Sequence, residues 1–312
     1  MPEPHTHLLH VEMEVREAGG PVELAMPVWT PGSYLVREFA RNAHTFAAED
    51  GAGGPLGWSK TDKTRWRVDA PRDGTLRVRY TVYAAELSVR TSHLDASHGY
   101  VNGASVFFYA EGRRDEPLEL RVEPPAGWRT TTALPPGPEP ETFLAAGYDE
   151  LADSPLEIGT HALLEWESGG VPHRYAVWGR GNLDPERLVA DTRRIVDATR
   201  DFWGGLPYRD FTFILHLTAG AAGGLEHRDS TTLLVDRWAF RGRPYEETLA
   251  LVTHEFFHVW NGKRIRPAPL GPFDYTRENY TRNLWVVEGV TTYYTDLLLR
   301  RAGLITPERY LD

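Results

Sequence analysis

The chain has 312 residues, 41% of them apolar and 12% aromatic, enough for one large or two ordinary domains with well-filled cores. Its 44 acidic residues against 34 basic ones give a formal charge of -10 with no basic block, which excludes the electrostatic footprint of a nucleic-acid binder. With no cysteine, disulfides, zinc knuckles and thiol catalysis are excluded too, so any metal must be held by His, Asp or Glu.

The opening residues, MPEPHTHLLHVEMEV, carry neither a basic nor an apolar leader region. No window reaches the roughly 18 apolar residues that cross a bilayer, so the chain reads as cytoplasmic, with no membrane partner. Up to about residue 165 the pattern is one of short alternating stretches, HLLHVEMEV, VELAMPVW, TRWRVDA, TLRVRYTVYAAEL, ASVFFYA, LELRVE and HALLEWE, separated by Gly- and Pro-rich turns. This predicts an antiparallel β-sandwich over residues 1–170.

The period then changes. LDPERLVADTRRIVDATRDFWGG has Asp184 as N-cap, Pro185 at the first helical position, an apolar face and a Gly204-Gly205 stop, which predicts a helix. FTFILHLTA and STTLLVDRWAF follow as strands, the first buried on both faces, with GAAGGLEHRD between them. From Pro244 a second helix runs to Gly262, and a third runs from Asn283 to Ala302. Helices and strands mixed in this way predict an α+β domain over residues 171–312, giving an α+β multidomain chain. TPERYLD announces a helix, with Thr306 as cap and Pro307 at its first position, and the chain stops just after; it reads as truncated at its C-terminus.

Within the second helix, HEFFH places His254 and His258 one turn apart on one face, able to aim two imidazoles at one cation. Zn2+ suits such nitrogen ligands, and catalytic zinc takes three protein ligands and leaves one position for water. Glu255 flanks the metal and is placed to act as general base. A histidine on an apolar helix is ordinarily a satisfied core residue. Here Leu251, Val252, Phe256, Phe257 and Trp260 surround the pair, and burying two histidines and a glutamate without a metal or partners costs on the order of several kcal/mol. The candidate third ligand is Glu288, in NLWVVEGVTTYY; its alternative is a helix-surface glutamate, against which Trp285, Val286, Val287, Val290 and Tyr294 are expected to enclose it. No third histidine follows in the metzincin manner, and two His with one Glu make the gluzincin set.

HEFFHVWNGKRIRP, FDY with LWVVEG, and TTYYTDLLLRRAG resemble the signature of the glycyl aminopeptidase family of gluzincin zinc metallopeptidases, distant relatives of aminopeptidase N. MPVWTPGSYLVREFARN and GASVFFYAEG are similar to the β-sandwich domain of that family, and the pattern departs from it at Gly262, where a larger apolar residue is expected. The resemblance implies a thermolysin-like catalytic domain with zinc on His254, His258 and Glu288, and Glu255 as base. It also implies an aminopeptidase that removes small N-terminal residues, glycine or alanine, from peptides with a free N-terminus. By analogy with the G-A-M-E-N strand of aminopeptidase N, Glu226 would bind the free amine, and the backbone of Gly223, Gly224 and Leu225 would pair with the peptide. For the tetrahedral oxyanion, Tyr275, Tyr280, Tyr293 and Tyr294 are candidates, with Tyr293 and Tyr294 reading first as core residues. Lys263, Arg264 and Arg266 read as a solvated cationic helix end or as contacts to the substrate carboxylate or Glu288, and Asp296 as an acceptor for a ligand histidine. The alternatives are a gluzincin endopeptidase, in which Glu226 lies off the subsite, and a fragment that binds zinc or peptide without turnover.

Overall fold

A computed structural model describes residues 1–72 and 74–311; Asp73 and Asp312 lie outside the described residues. The chain divides into two compact units, one of Met1–Thr130, Leu134–Gly159 and Phe273–Asn279, the other of Thr131–Ala133, Thr160–Pro272 and Tyr280–Asp312.

The first unit is built of antiparallel sheets. Leu8–Val15, Leu76–Tyr83 and Ala43–Asp50 form one, with Leu76–Tyr83 in the centre. That central strand buries Leu76, Val78, Tyr80 and Val82 and turns Arg77, Arg79, Thr81 and Tyr83 away, the period of two written in LRVRYTVY. A second sheet runs Trp58–Lys60, Arg65–Val68, Val22–Ala25, Tyr109–Ala110. Trp29, Leu24, Trp66, Tyr80 and Phe108 lie in the core.

A late piece of chain completes this core. Trp29, fully buried, donates its indole N–H to the carbonyls of Asp274 and Arg277 at 3.1 and 2.8 Å. Tyr275 is buried against Trp29, Tyr109 and Tyr148. The FDY motif is therefore sandwich core, and Tyr275 is removed from the candidates for oxyanion stabilisation.

The second unit carries a five-stranded sheet in the order Ala162–Ser168, Val171–Trp178, Phe211–Thr218, Ser230–Asp236, Gly223–Glu226. Its first strand corrects the expected boundary near residue 170. HALLEWE belongs here, because Gly169 and Gly170, with φ of 60° and 79°, close a two-residue hairpin that pairs Ser168 with Val171. The next two neighbouring pairs are parallel, and the last strand returns antiparallel. Phe211–Thr218 is buried along almost its whole length, as expected for a central strand with both faces covered. Pro185–Trp203 forms the crossover helix, with Asp184 accepting from the Arg187 N–H at 3.1 Å and Gly204 closing it at φ 80°.

Two helices differ from expectation. The histidine helix spans Gly242–Phe257, with His258 as its C-cap donating its N–H to the His254 carbonyl, rather than running to Gly262. The chain turns back there: Gly262, at φ 126°, donates to the Ile265 carbonyl at 2.9 Å, and Ile265 donates to the Trp260 carbonyl at 2.7 Å. The expected single helix from Asn283 is a π-helical segment, Trp285–Gly289, leading into an α-helix, Val290–Arg301. Among the described residues no helix is long and apolar enough to cross a membrane.

Candidate metal centre

The site lies within the second unit. His254 sits in the last turn of its helix and His258 immediately after it, with their Nε2 atoms 3.1 Å apart and their rings nearly perpendicular at 83°. Glu288 completes the group: its Oε2 lies 3.5 Å from His254 Nε2 and 3.7 Å from His258 Nε2. Three ligand atoms thus converge on one point, the donor set and spacing a small divalent cation requires. His258 Nδ1 faces the Asn261 carbonyl at 2.8 Å, so a neutral ring donates there and turns its bare Nε2 toward the other two ligands. Asp296, expected as the acceptor for a ligand histidine, is exposed instead, and the backbone of Asn261 takes that role for His258.

The electrostatics are those of a concentrated anionic pocket. Burial lowers the pKa of His258, but Glu226, Glu288 and Glu255 more than offset it and push the imidazole up from 6.5 to about 9. Hydrogen bonds to His254 and His258 hold Glu288 down at about 2. The enclosing apolar wall expected around Glu288 is not formed. Its side chain is half-exposed and Trp285 is 69% exposed, because the π-helical turn carries the tryptophan outward while Val287 alone of its apolar neighbours is buried.

Glu255 is buried and points toward the edge strand Gly223–Glu226. A Cβ placed on Gly224 would lie 2.0 Å from Glu255 Oε1, so the strand's backbone presses directly on this carboxylate and any side chain there would displace it. Glu226, at the end of the same strand, is buried as well, and one ligand atom each of Glu226, Glu255 and His258 lies within 4.8 Å of the others. The strand pairs on one side with Ser230–Asp236, and among the described residues its other side has no strand beside it. Of the residues named from the sequence, the structure groups His254, His258 and Glu288, and Glu226 and Glu255 with His258, and sets Gly224 against Glu255, with Gly223 and Leu225 on the same strand.

Arg264 is not a solvated helix end. Its guanidinium bonds Asp229 at 2.7 Å and the carbonyls of Arg228, Pro207 and Val259 at 2.9 to 3.0 Å, which ties down the turn after Glu226. Tyr294 stacks on Phe257 and packs near Phe202, as a core residue does, whereas Tyr293 and Tyr280 are exposed. Sequence reading missed Asn261, whose only signal was an amide side chain at the point where an apolar helix breaks.

The peptidase M61 N-terminal domain model matches residues 1–160, and the M61 glycyl aminopeptidase model matches residues 247–312. The chain belongs to the peptidase M61 family. A solved aminopeptidase N family protein from Idiomarina loihiensis is similar to this M61 chain at 34% identity and a TM-score of 0.95, over 99% of this chain and 55% of the other. The chain therefore spans about half the length of that relative.

Two further solved structures share the fold at lower identity. An M1 zinc metallopeptidase from Deinococcus radiodurans is 18% identical with a TM-score of 0.56, over 97% of this chain and 68% of that one. A mutant M1 zinc metallopeptidase from the same organism, bound to a Tyr-Ser-Ala substrate, is 18% identical with a TM-score of 0.57 over the same shares. The fold class expected from the M61 resemblance, a β-sandwich followed by a thermolysin-like α+β domain, is thus the one found. A comparison with curated protein sequences finds no match.

Proposed function

We infer that the chain is the sandwich and catalytic portion of a zinc aminopeptidase that removes small residues, glycine foremost, from peptides with a free N-terminus. The observation that carries this is the convergence of His254, His258 and Glu288 on one point, with Glu255 beside them against an edge strand that ends in buried Glu226. The zinc named for the M1 relatives and the glycyl specificity named for the M61 family support the metal and the substrate.

His254, His258 and Glu288 would hold a zinc ion, which when bound would supply Lewis-acid chemistry toward a peptide carbonyl and water. Glu255, buried beside the ligands, takes a proton from the attacking water at its carboxylate and delivers it to the amine that leaves as the C–N bond breaks. The edge strand offers Gly223, Gly224 and Leu225 as backbone partners for an extended peptide. Glu226 neutralises the peptide's ammonium group, and a terminal ammonium fixed there sets cleavage one residue in. Gly224 also keeps a side chain out of the space beside Glu255.

The test compares hydrolysis of glycyl-p-nitroanilide with that of its N-acetyl analogue, alongside the zinc content of the protein and of His258→Ala. Cleavage of the free-amine substrate alone, with zinc and activity both lost in the variant, is the expected result. Cleavage of both substrates would replace the aminopeptidase reading with an endopeptidase. Stoichiometric zinc with no cleavage of either would leave a zinc-binding portion that lacks groups needed for turnover.

A further inference from the structure

Asn261 stands where the histidine helix has ended and the chain reverses, buried and outside the ligand set. Its amide nitrogen lies 3.0 Å from each of three acceptors, the carbonyls of Val286 and Val287 and the hydroxyl oxygen of Thr291. Carbonyl oxygens only accept, so the group facing them must be the NH2, with one N–H shared between two acceptors. Val286 and Val287 are the two residues before Glu288 in the π-helical turn, and Thr291 lies in the first turn of the helix that follows. The same residue's backbone carbonyl accepts from Nδ1 of His258 at 2.8 Å. A single asparagine thus holds the turn that carries one ligand with its side chain and the ring of another with its main chain.

We propose that Asn261 is a positioning residue for the metal centre: it fixes the Glu288 carboxylate and the His258 imidazole at a common point, joining the two segments from which the ligands come. Segments so far apart in sequence need a specific tie, because a ligand one ångström out of place loses its bond. A π-helical turn is a rare, single-turn departure from the α-helix that recurs at functional sites, and here it carries Glu288. Gly262 belongs to the same device. Its positive φ lets the chain reverse directly after Asn261, and a Cβ there would meet His258 Nδ1 and Val287 Cγ1 at 3.3 Å, tighter than ordinary contact. The larger apolar residue expected at this position would therefore press on both halves of the tie.

The inference rests on the metallopeptidase reading, and its test separates the two. Zn2+ affinity is measured by competition with a chelating indicator for the unmodified chain, Asn261→Asp and Asn261→Ala, each also combined with Glu288→Ala. Asn261→Asp keeps the shape but turns oxygen toward the carbonyls; Asn261→Ala removes the tie without adding repulsion. Both variants are expected to bind Zn2+ 10–100-fold more weakly, the cost typical of losing a group that orients a ligand. In the Glu288→Ala background the further loss should shrink to a few-fold, because the residue acts largely through that ligand. The visible spectrum of the Co2+ form should change in the single variants as the coordination changes, which a general loss of stability would not produce. If the unmodified chain binds no zinc, the metal reading itself falls. If it binds zinc and the variants, folded by circular dichroism, bind within threefold of it with the same Co2+ spectrum, Asn261 does not position the site. Failure of both variants to fold without metal would make the residue a fold determinant and equally overturn the proposal.

Discussion

Glu255 and Gly224 determine each other. The carboxylate needs a buried place beside the histidines, and the strand facing it has no room for even one carbon. Gly224→Ala is expected to retain zinc, because it touches no ligand, and to lower kcat/KM by about 10²-fold or more, since a displaced general base forfeits a contribution of that order. Activity within twofold of the original would show that Glu255 tolerates the displacement. His258 gives a second prediction at this scale. Its pKa of about 9 means that the metal-free protein carries a proton there at pH 7, and a metal must displace it. Zinc binding at pH 7 should release close to one proton from this ring, measured by calorimetry in buffers of different ionisation enthalpy; a binding enthalpy independent of buffer would contradict it. The same groups set the pH dependence of the metal-free protein. His258, raised from 6.5, contributes stability below pH 6.5 that is lost as pH rises through about 9. Glu288, lowered from 4.5 to about 2, contributes stability above pH 4.5 that is lost as pH falls toward 2. The cluster therefore stabilises the chelated protein most between pH 4.5 and 6.5.

At the scale of elements, the site is an edge strand, the end of one helix and a π-helical turn held in register by polar ties. Arg264 secures the turn after Glu226 with one charged partner and three carbonyls. Arg264→Ala should destabilise the protein by about 1.5–3 kcal/mol, the typical worth of hydrogen bonds to a charged group, read as a lower urea midpoint. An unchanged midpoint would mean that the turn is held by its own backbone. Elements with local signals were legible in the sequence. Asp184-Pro185 with Gly204-Gly205 bracketed the crossover helix because caps act through their nearest neighbours. The end of the histidine helix was not legible. VWNG continues the apolar pattern, and what stops the helix is the reversal at Gly262 and the bonds of Asn261 to a segment much later in the chain. The strand HALLEWE was visible as a strand, yet its sheet was decided by the Gly169-Gly170 hairpin.

For the whole molecule, all three ligands come from the second unit, so zinc should stabilise that core through binding to the native state alone. At free zinc about 100 times its dissociation constant, the gain is about 2.7 kcal/mol, seen as a raised thermal midpoint that a chelator reverses. A midpoint indifferent to zinc would remove the metal reading. The sequence by itself determined which donor groups are at hand. His254, Glu255 and His258 share a helical turn, a local relation fixed by 3.6 residues per turn, and the lack of cysteine restricted the ligands to His and carboxylates. The family resemblance added Glu226 and the strand before it. Tertiary structure decided how close those groups stand. That Glu226 shares a pocket with Glu255 and His258, that Gly224 touches Glu255, that FDY completes the sandwich core and that Asn261 bonds the turn before Glu288 are all relations between segments distant in sequence. Such contacts leave no periodic trace, because they depend on where the chain returns and not on the order of its neighbours.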